Sequence, residues 1–282
     1  MRINIISTLQ KYDGLKDCFN CNTVEAYHLR EALEKRGCEV RFVNDRQLLR
    51  ALPPKTNHTI VISATAIQFI RTNSAYLKRI RLTTTGKLTI YLAAAWLDYD
   101  KIFDYIFTVV KPFRERSAKY VYVGWGADPT YCYPEQTEKA VFVDSFMYKF
   151  YKGKFNPIYD IIKRTLLKSK LKVYIPQREY HGHKKISWPI LQSIMRKCHF
   201  YVCTQLGESG LTRIEAAYCG ALLVVHKAFY RPLTMATLEH AIWTTEKELR
   251  KILKSQTNPM EISKKAHVHT WDKVANRILS KL

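Results

Sequence analysis

Between Thr204 and Val225 the sequence reads Thr-Gln-Leu-Gly-Glu-Ser-Gly-Leu-Thr-Arg-Ile-Glu-Ala-Ala-Tyr-Cys-Gly-Ala-Leu-Leu-Val-Val. These residue types spell a strand end, a glycine-containing turn, a short helix, a glycine stop and a second strand. A turn at Gly207–Leu211 that opens a helix presents backbone N–H groups and the positive end of the helix dipole, which suits a phosphate. Glu215, read into the first turn of that helix, is a carboxylate placed to take two vicinal ribose hydroxyls. The same spacing has a plainer reading. Thr212-x-x-Glu215 is a capping box, in which the carboxylate satisfies backbone donors. A glycine turn and helix alone leave both readings standing.

Charge is the second signal. The 282 residues carry 46 Lys+Arg against 24 Asp+Glu, a formal net charge of +22. Such a surplus attracts polyanions: nucleic acid, an anionic membrane surface or a phosphorylated substrate. Between Ser145 and Lys185 eleven Lys/Arg stand with only Asp160 and Glu179, and Phe146, Tyr148, Phe150, Tyr151, Phe155 and Tyr159 interleave with the first of them. A further basic cluster, Lys111, Arg114, Arg116 and Lys119, is a candidate nucleic-acid contact. The alternative is a set of lysines that only solvate exposed helix faces.

Seven cysteines, an odd number scattered along the chain, read as free thiols rather than a disulfide framework. Cys18-x-x-Cys21 lacks the second pair that a structural zinc site wants, with only Cys38 and His28 nearby, so no metal is implied. With 47% apolar residues the chain can bury a core, which excludes disorder and fibrous repeats. No apolar run approaches the roughly 18 to 20 residues of a membrane span. Met1-Arg-Ile-Asn-Ile-Ile enters a strand without the apolar region and cleavage site of a signal peptide, so a soluble, cytoplasmic protein is expected.

The elements that position these residues alternate. Residues 3–7 read as a buried strand. Asn22-x-x-Glu25 starts a helix with Ala26, Leu29 and Leu33 on one face, and Gly37 closes it. Strands follow at Val40–Val43, Thr59–Ser63, Leu88–Leu92, Tyr105–Val110 and Tyr120–Val123. A second series begins at Ala140–Val143. It continues with a helix at Pro157–Lys168, a strand at Leu171–Ile175, a helix at Pro189–Arg196, a strand at Phe200–Thr204, a helix over 211–219 and a strand at Ala221–Val225. Helices close the chain over 246–254 and 259–282. Two β/α series predict an α/β protein of two Rossmann-like domains facing across a cleft, with ligands at the strand carboxyl ends. The expected division is 1–138, 139–258, and a C-terminal helix at 259–282 that packs back on the first domain.

The 204–225 segment resembles the donor motif of retaining GT-B glycosyltransferases, Glu-x-x-Gly-Leu-x-x-x-Glu-Ala-x-x-x-Gly followed by a buried strand. Gly210, Leu211, Glu215, Ala216 and Gly220 match in register. The helix and strand over Ser187–Thr204, the strand and basic loop over 139–153, and the opening unit ending in Lys35-Arg-Gly37 are similar in outline to that family. The resemblance implies that Glu215 binds the ribose of a nucleotide-sugar, UDP-linked by preference. It also implies that the turn, with Gly207, Ser209, Gly210, Leu211 and Thr212, meets the diphosphate and sugar. The family's first Glu falls at Gly207 here, and Glu208, one position on, is the carboxylate near the donor sugar.

The family meets the diphosphate with cations and helix dipoles rather than a metal ion. Lys149, Lys152 and Arg178 stand at the expected places, and no cofactor is implied. Asp98 or Asp100, in the likely active-site loop of the first domain, would be the general base if the reaction inverts; alternatively, each only caps a helix. His181 and His183 read as loop residues.

A transferase of this size and charge suits DNA, as in bacteriophage enzymes that glycosylate hydroxylated or hydroxymethylated pyrimidines, and its location would then be the host cytoplasm. Two alternatives stand beside it. One is a peripheral membrane glycosyltransferase acting on a glycolipid or surface polysaccharide, with Ile67, Phe69, Ile70, Leu77 and Ile80 as a weak apolar face over 65–82. The other is a non-catalytic nucleic-acid-binding protein on the same scaffold.

Overall fold

A computed structural model describes residues 1–7, 21–44, 48, 50–62, 75–92, 101–109, 117–136, 139–143, 156–175, 186–204, 211–230 and 237–282. The chain divides into two units, Met1–Gly126 with Thr270–Leu282, and Ala127–His269. The division therefore lies at Gly126/Ala127 rather than 138/139. The chain returns to the first unit at Thr270 rather than at 259.

Unit 1 is built on a six-stranded sheet of β1 (Arg2–Ser7), β2 (Glu39–Asn44), β3 (His58–Ile62), β4 (Leu88–Leu92), β5 (Tyr105–Thr108) and β6 (Tyr120–Tyr122), in the order β2-β1-β3-β4-β5-β6. Every neighbouring pair is parallel, with Ile3 opposite Val40 and Ile5 opposite Phe42. Parallel strands are buried on both faces, and β1 is accordingly buried from Ile3 to Ser7. Helix α1 (Cys21–Glu34) places Ala26, Leu29 and Leu33 against it, and Gly37 follows with a φ of +77°. Helix α2 (Ala75–Thr83) turns Leu77 and Ile80 into the core beside Val61 and Ile90. In the described part of the 65–82 stretch Leu77 and Ile80, the two residues of the expected apolar face, are thus core, and Leu82 is the one large apolar side chain strongly exposed. No helix among the described residues is long and apolar enough to cross a membrane.

Unit 2 holds a five-stranded parallel sheet of β7 (Ala140–Val143), β8 (Lys172–Tyr174), β9 (Phe200–Cys203), β10 (Leu222–His226) and β11 (His240–Trp243), ordered β11-β10-β9-β7-β8. Its helices are α3 (Asn156–Leu167), α4 (Trp188–Met195), α5 (Leu211–Tyr218), α6 (Glu246–Lys254) and α7 (Pro259–Ala266). Strand β11 is absent from the sequence expectation. Its residues, His-Ala-Ile-Trp, form a short edge strand with one fully buried side chain, Trp243.

The expected helix over 259–282 is two helices, α7 and α8 (Trp271–Leu279), because Thr270 caps the second by accepting from the Lys273 N–H. Helix α8 belongs to unit 1. The Arg36 guanidinium donates to the Asp272 carboxylate and carbonyl at 2.8 and 3.0 Å, and the Trp271 ring stacks on His28. The returning chain passes so close to Gly126 that a Cβ there would stand 2.2 Å from the Trp271 backbone nitrogen and 2.5 Å from the Thr270 carbonyl carbon. Neither neighbour is a flexible side chain, so the backbone itself must move to admit a methyl group. Gly126→Ala is expected to lower unfolding stability by about 1–3 kcal/mol, measured by urea denaturation. An unchanged midpoint would show that this approach does not exist.

Candidate functional site

In unit 2 the strand carboxyl ends are where a ligand is expected. Strand β9 ends at Cys203, and the carbonyl of buried Thr204 accepts a hydrogen bond from the Tyr159 hydroxyl of α3 at 3.0 Å. Helix α5 then runs back beneath β10. All eight of its residues are buried, Arg213 and Glu215 included. Gly220 ends it at a φ of +83°, with Pro259 of α7 at 2.7 Å from where a Cβ would lie, and the Ser263 hydroxyl of α7 donates to the Tyr218 carbonyl at 2.6 Å.

Glu215 is 2% exposed. Its Oε1 accepts the indole N–H of Trp188 at 2.7 Å, and Trp188 packs edge-on against Tyr131. The capping-box alternative is not what forms. Leu211 is already helical, so Thr212 lies inside α5 rather than at its cap. The carboxylate turns to a tryptophan from α4 instead. That partner carries no motif of its own in the sequence. The only local sign is a tryptophan, a large apolar ring with one N–H donor, at a helix start before Pro189.

Polar groups surround Glu215 on the described side. The Cys132 thiol donates to Gln192 Oε1 at 3.2 Å, and Gln136 donates to the carbonyls of Cys198 and Cys219. Burial pushes the Cys132 thiol well above its ordinary range, followed by its hydrogen bond and charge coupling with Cys219 and then by the Glu215 and Asp128 carboxylates. This thiol is held protonated and is no nucleophile. At the end of β10, His226 Nδ1 accepts from the Ala228 N–H at 3.1 Å, and its ring packs edge-on to Trp243. Burial lowers the His226 pKa, against a hydrogen bond from the ring to the Thr244 backbone that raises it. A neutral imidazole therefore shapes the turn after β10.

Of the residues singled out in the sequence, the structure places Leu211, Thr212 and Glu215 together on α5. Gly207, Glu208, Ser209, Gly210, Lys149, Lys152, Arg178, Asp98, Asp100, Lys111, Arg114, Arg116, His181 and His183 lie outside the described residues. Lys119 is described: it precedes β6, at the amino end of the unit 1 sheet, and its ammonium reaches the Phe103 carbonyl at 3.4 Å.

No family model and no curated protein matches the sequence. Solved structures do match the fold. Sucrose-phosphate synthase from Thermosynechococcus elongatus shares 10% identity over 99% of this chain and 98% of its own, with a TM-score of 0.58. AviGT4, a glycosyltransferase of avilamycin A biosynthesis, shares 11% over 99% and 96%, at 0.59. Anabaena HepE, solved with UDP-glucose, shares 12% over the whole of both chains, at 0.56. The fold is that of the GT-B glycosyltransferases. A UDP-N-acetylglucosamine 2-epimerase also shares it, at 11% identity over 99% and 94% and a TM-score of 0.51, so the fold does not by itself specify transfer.

Trp188→Phe removes the donor to Glu215 while keeping an aromatic ring in place. A buried carboxylate stripped of this partner is expected to cost about 1.5–3 kcal/mol in urea unfolding. A loss below about 0.5 kcal/mol would mean that the hydrogen bond does not hold the carboxylate.

Proposed function

We propose that this protein is a glycosyltransferase that moves a sugar from a UDP-linked donor to a hydroxyl on a hydroxylated or hydroxymethylated pyrimidine of DNA. One observation carries the first half of this reading. Glu215 sits buried and held on the helix that follows the β9 loop, within a chain whose whole length shares the GT-B fold.

In this reading Glu215 receives the ribose hydroxyls, and the amino end of α5 faces the diphosphate with its dipole. Lys149, Lys152 and Arg178 offset the remaining charge as UDP leaves, so that no metal is required. The bond from the sugar's anomeric carbon to the diphosphate oxygen breaks, and a bond from that carbon to the acceptor oxygen forms. The acceptor proton passes to a carboxylate, Asp98 or Asp100 if the configuration inverts, while Glu208 lies beside the donor sugar. Lys111, Arg114, Arg116 and Lys119 bind the DNA phosphates, and the protein works in the cytoplasm.

The net charge of +22 supports a polyanionic acceptor. Burial of Leu77 and Ile80 takes support from the membrane-surface alternative. The likeness to an epimerase favours a second reading, in which a nucleotide-sugar is rearranged without an acceptor.

DNA containing hydroxymethylated pyrimidines, incubated with the protein and UDP-sugars and then digested, distinguishes these readings. The expected result is a hexose or pentose mass gain on one nucleoside, with release of one UDP per sugar added. UDP release without a DNA mass gain would move the acceptor elsewhere. Epimerised donor with no UDP release would replace transfer by rearrangement.

A further inference from the structure

Unit 2 carries a cationic groove that the reaction above does not use. Two adjoining cavities of about 440 and 660 Å³ share Lys168, Arg250 and Lys254. Lys139 and Lys170 complete the basic lining of the first, and Lys247 and Lys251 that of the second. Topology places the groove at the amino end of the sheet. Lys139 immediately precedes β7, Leu171 immediately precedes β8, and Lys168 and Lys254 stand at the carboxyl ends of α3 and α6. The groove is therefore at the opposite end of this sheet from Thr204 and the start of α5.

Ordinary electrostatics explains part of it. A cation at each helix carboxyl end offsets the dipole, and Lys251 and Lys254 lie in the last turn of α6. Lys139 Nζ donates to the Lys254 carbonyl at 3.0 Å. Glu246, the one acid lining the groove, pairs with Arg250 and also stands 3.6 Å from Arg164. Two helix ends and one carboxylate do not account for seven basic residues drawn from three separate segments into one recess. They repel one another there until an anion arrives.

We propose that this groove binds the phosphodiester backbone of a nucleic acid without reading its sequence. Two cavities joined through shared cations suit an extended row of phosphates better than a single phosphate. The lining contains no aromatic side chain on which a base would stack, so the contacts are to backbone. A membrane surface would want a cluster of apolar side chains beside the cations. Among the described large apolar residues of α3 and α6, Leu167 alone is strongly exposed, at 76%. The inference does not rest on glycosyl transfer: a protein that transferred nothing would still carry this groove.

Fluorescence anisotropy with a labelled duplex of arbitrary sequence tests it, using the full chain between 50 and 200 mM salt. Binding is expected to weaken linearly in log–log form, with a slope of about −0.9 per phosphate neutralised. Lys168→Gln, Lys170→Gln and Lys254→Gln combined should shallow the slope by about 2 to 3 and weaken binding by about tenfold at the middle of the range. Lys247→Gln with Lys251→Gln should shallow it by about 2, which keeps the test open if the triple variant fails to fold. Unchanged affinity and slope in the folded variants would overturn the proposal. So would duplex binding abolished by micromolar pyrophosphate, which would identify a small-phosphate site. Binding to phosphatidylserine vesicles that the variants lose, with duplex binding intact, would assign the groove to a membrane instead.

Discussion

A carboxylate that is 2% exposed, on a helix with every residue buried, is the constraint on which the second unit depends. Moving an ion from water into a protein interior costs several kcal/mol unless donors replace the lost hydration. An apolar residue at position 215 would avoid that cost, and the neighbouring core of β9, β10 and α7 has ample apolar material to pack against it. The chain instead brings the Trp188 indole from the first residue of α4 to within 2.7 Å of the carboxylate. That bond ties α4 to α5. The Tyr131 ring packs on that indole, and Gln192 meets the Cys132 and Cys219 thiols nearby.

The second organising influence is charge. A net +22 is not spread evenly over the molecule. In unit 1 the basic residues tie elements together: Arg36 reaches α8 through Asp272, and Arg81 is 2.8 Å from Asp104 beside the start of β4. These exposed pairs contribute little to stability individually. In unit 2 the basic residues outnumber their partners and gather at the amino end of the sheet. Like charges placed together in a recess oppose folding slightly, which makes sense for a surface whose anion comes from outside.

Much of this fold was legible because parallel sheets announce themselves. Apolar runs such as Leu222–Val225 and Ile60–Ile62 are the pattern of strands covered on both faces, and the helices between them carry ordinary start and stop signals. Where those signals are local, the boundaries agree closely, as in α6 with its Thr245–Glu248 capping box. The failures come from non-local causes. Strand β11 exists because β10 offers it an edge, not because His-Ala-Ile-Trp is strand-like on its own. The break before α8 depends on which unit the last helix packs against. Glu215 was visible as a residue, but its partner lies 27 positions earlier in the chain. The basic run over 145–185 was visible too, but the groove it forms needs α6, more than 70 residues further on from Lys170.

If the buried Glu215 carboxylate serves a nucleotide, neutralising it must weaken nucleotide binding. Isothermal titration of UDP into the wild-type protein and into Glu215→Gln tests it most directly, because the glutamine carbonyl can still accept the Trp188 N–H and so spares the packing. The wild-type protein is expected to bind and the variant to bind at least about tenfold more weakly, a loss of about 1.4 kcal/mol, with melting temperatures that agree within a few degrees. Equal UDP affinity in the two proteins would make Glu215 a structural carboxylate with no part in nucleotide binding.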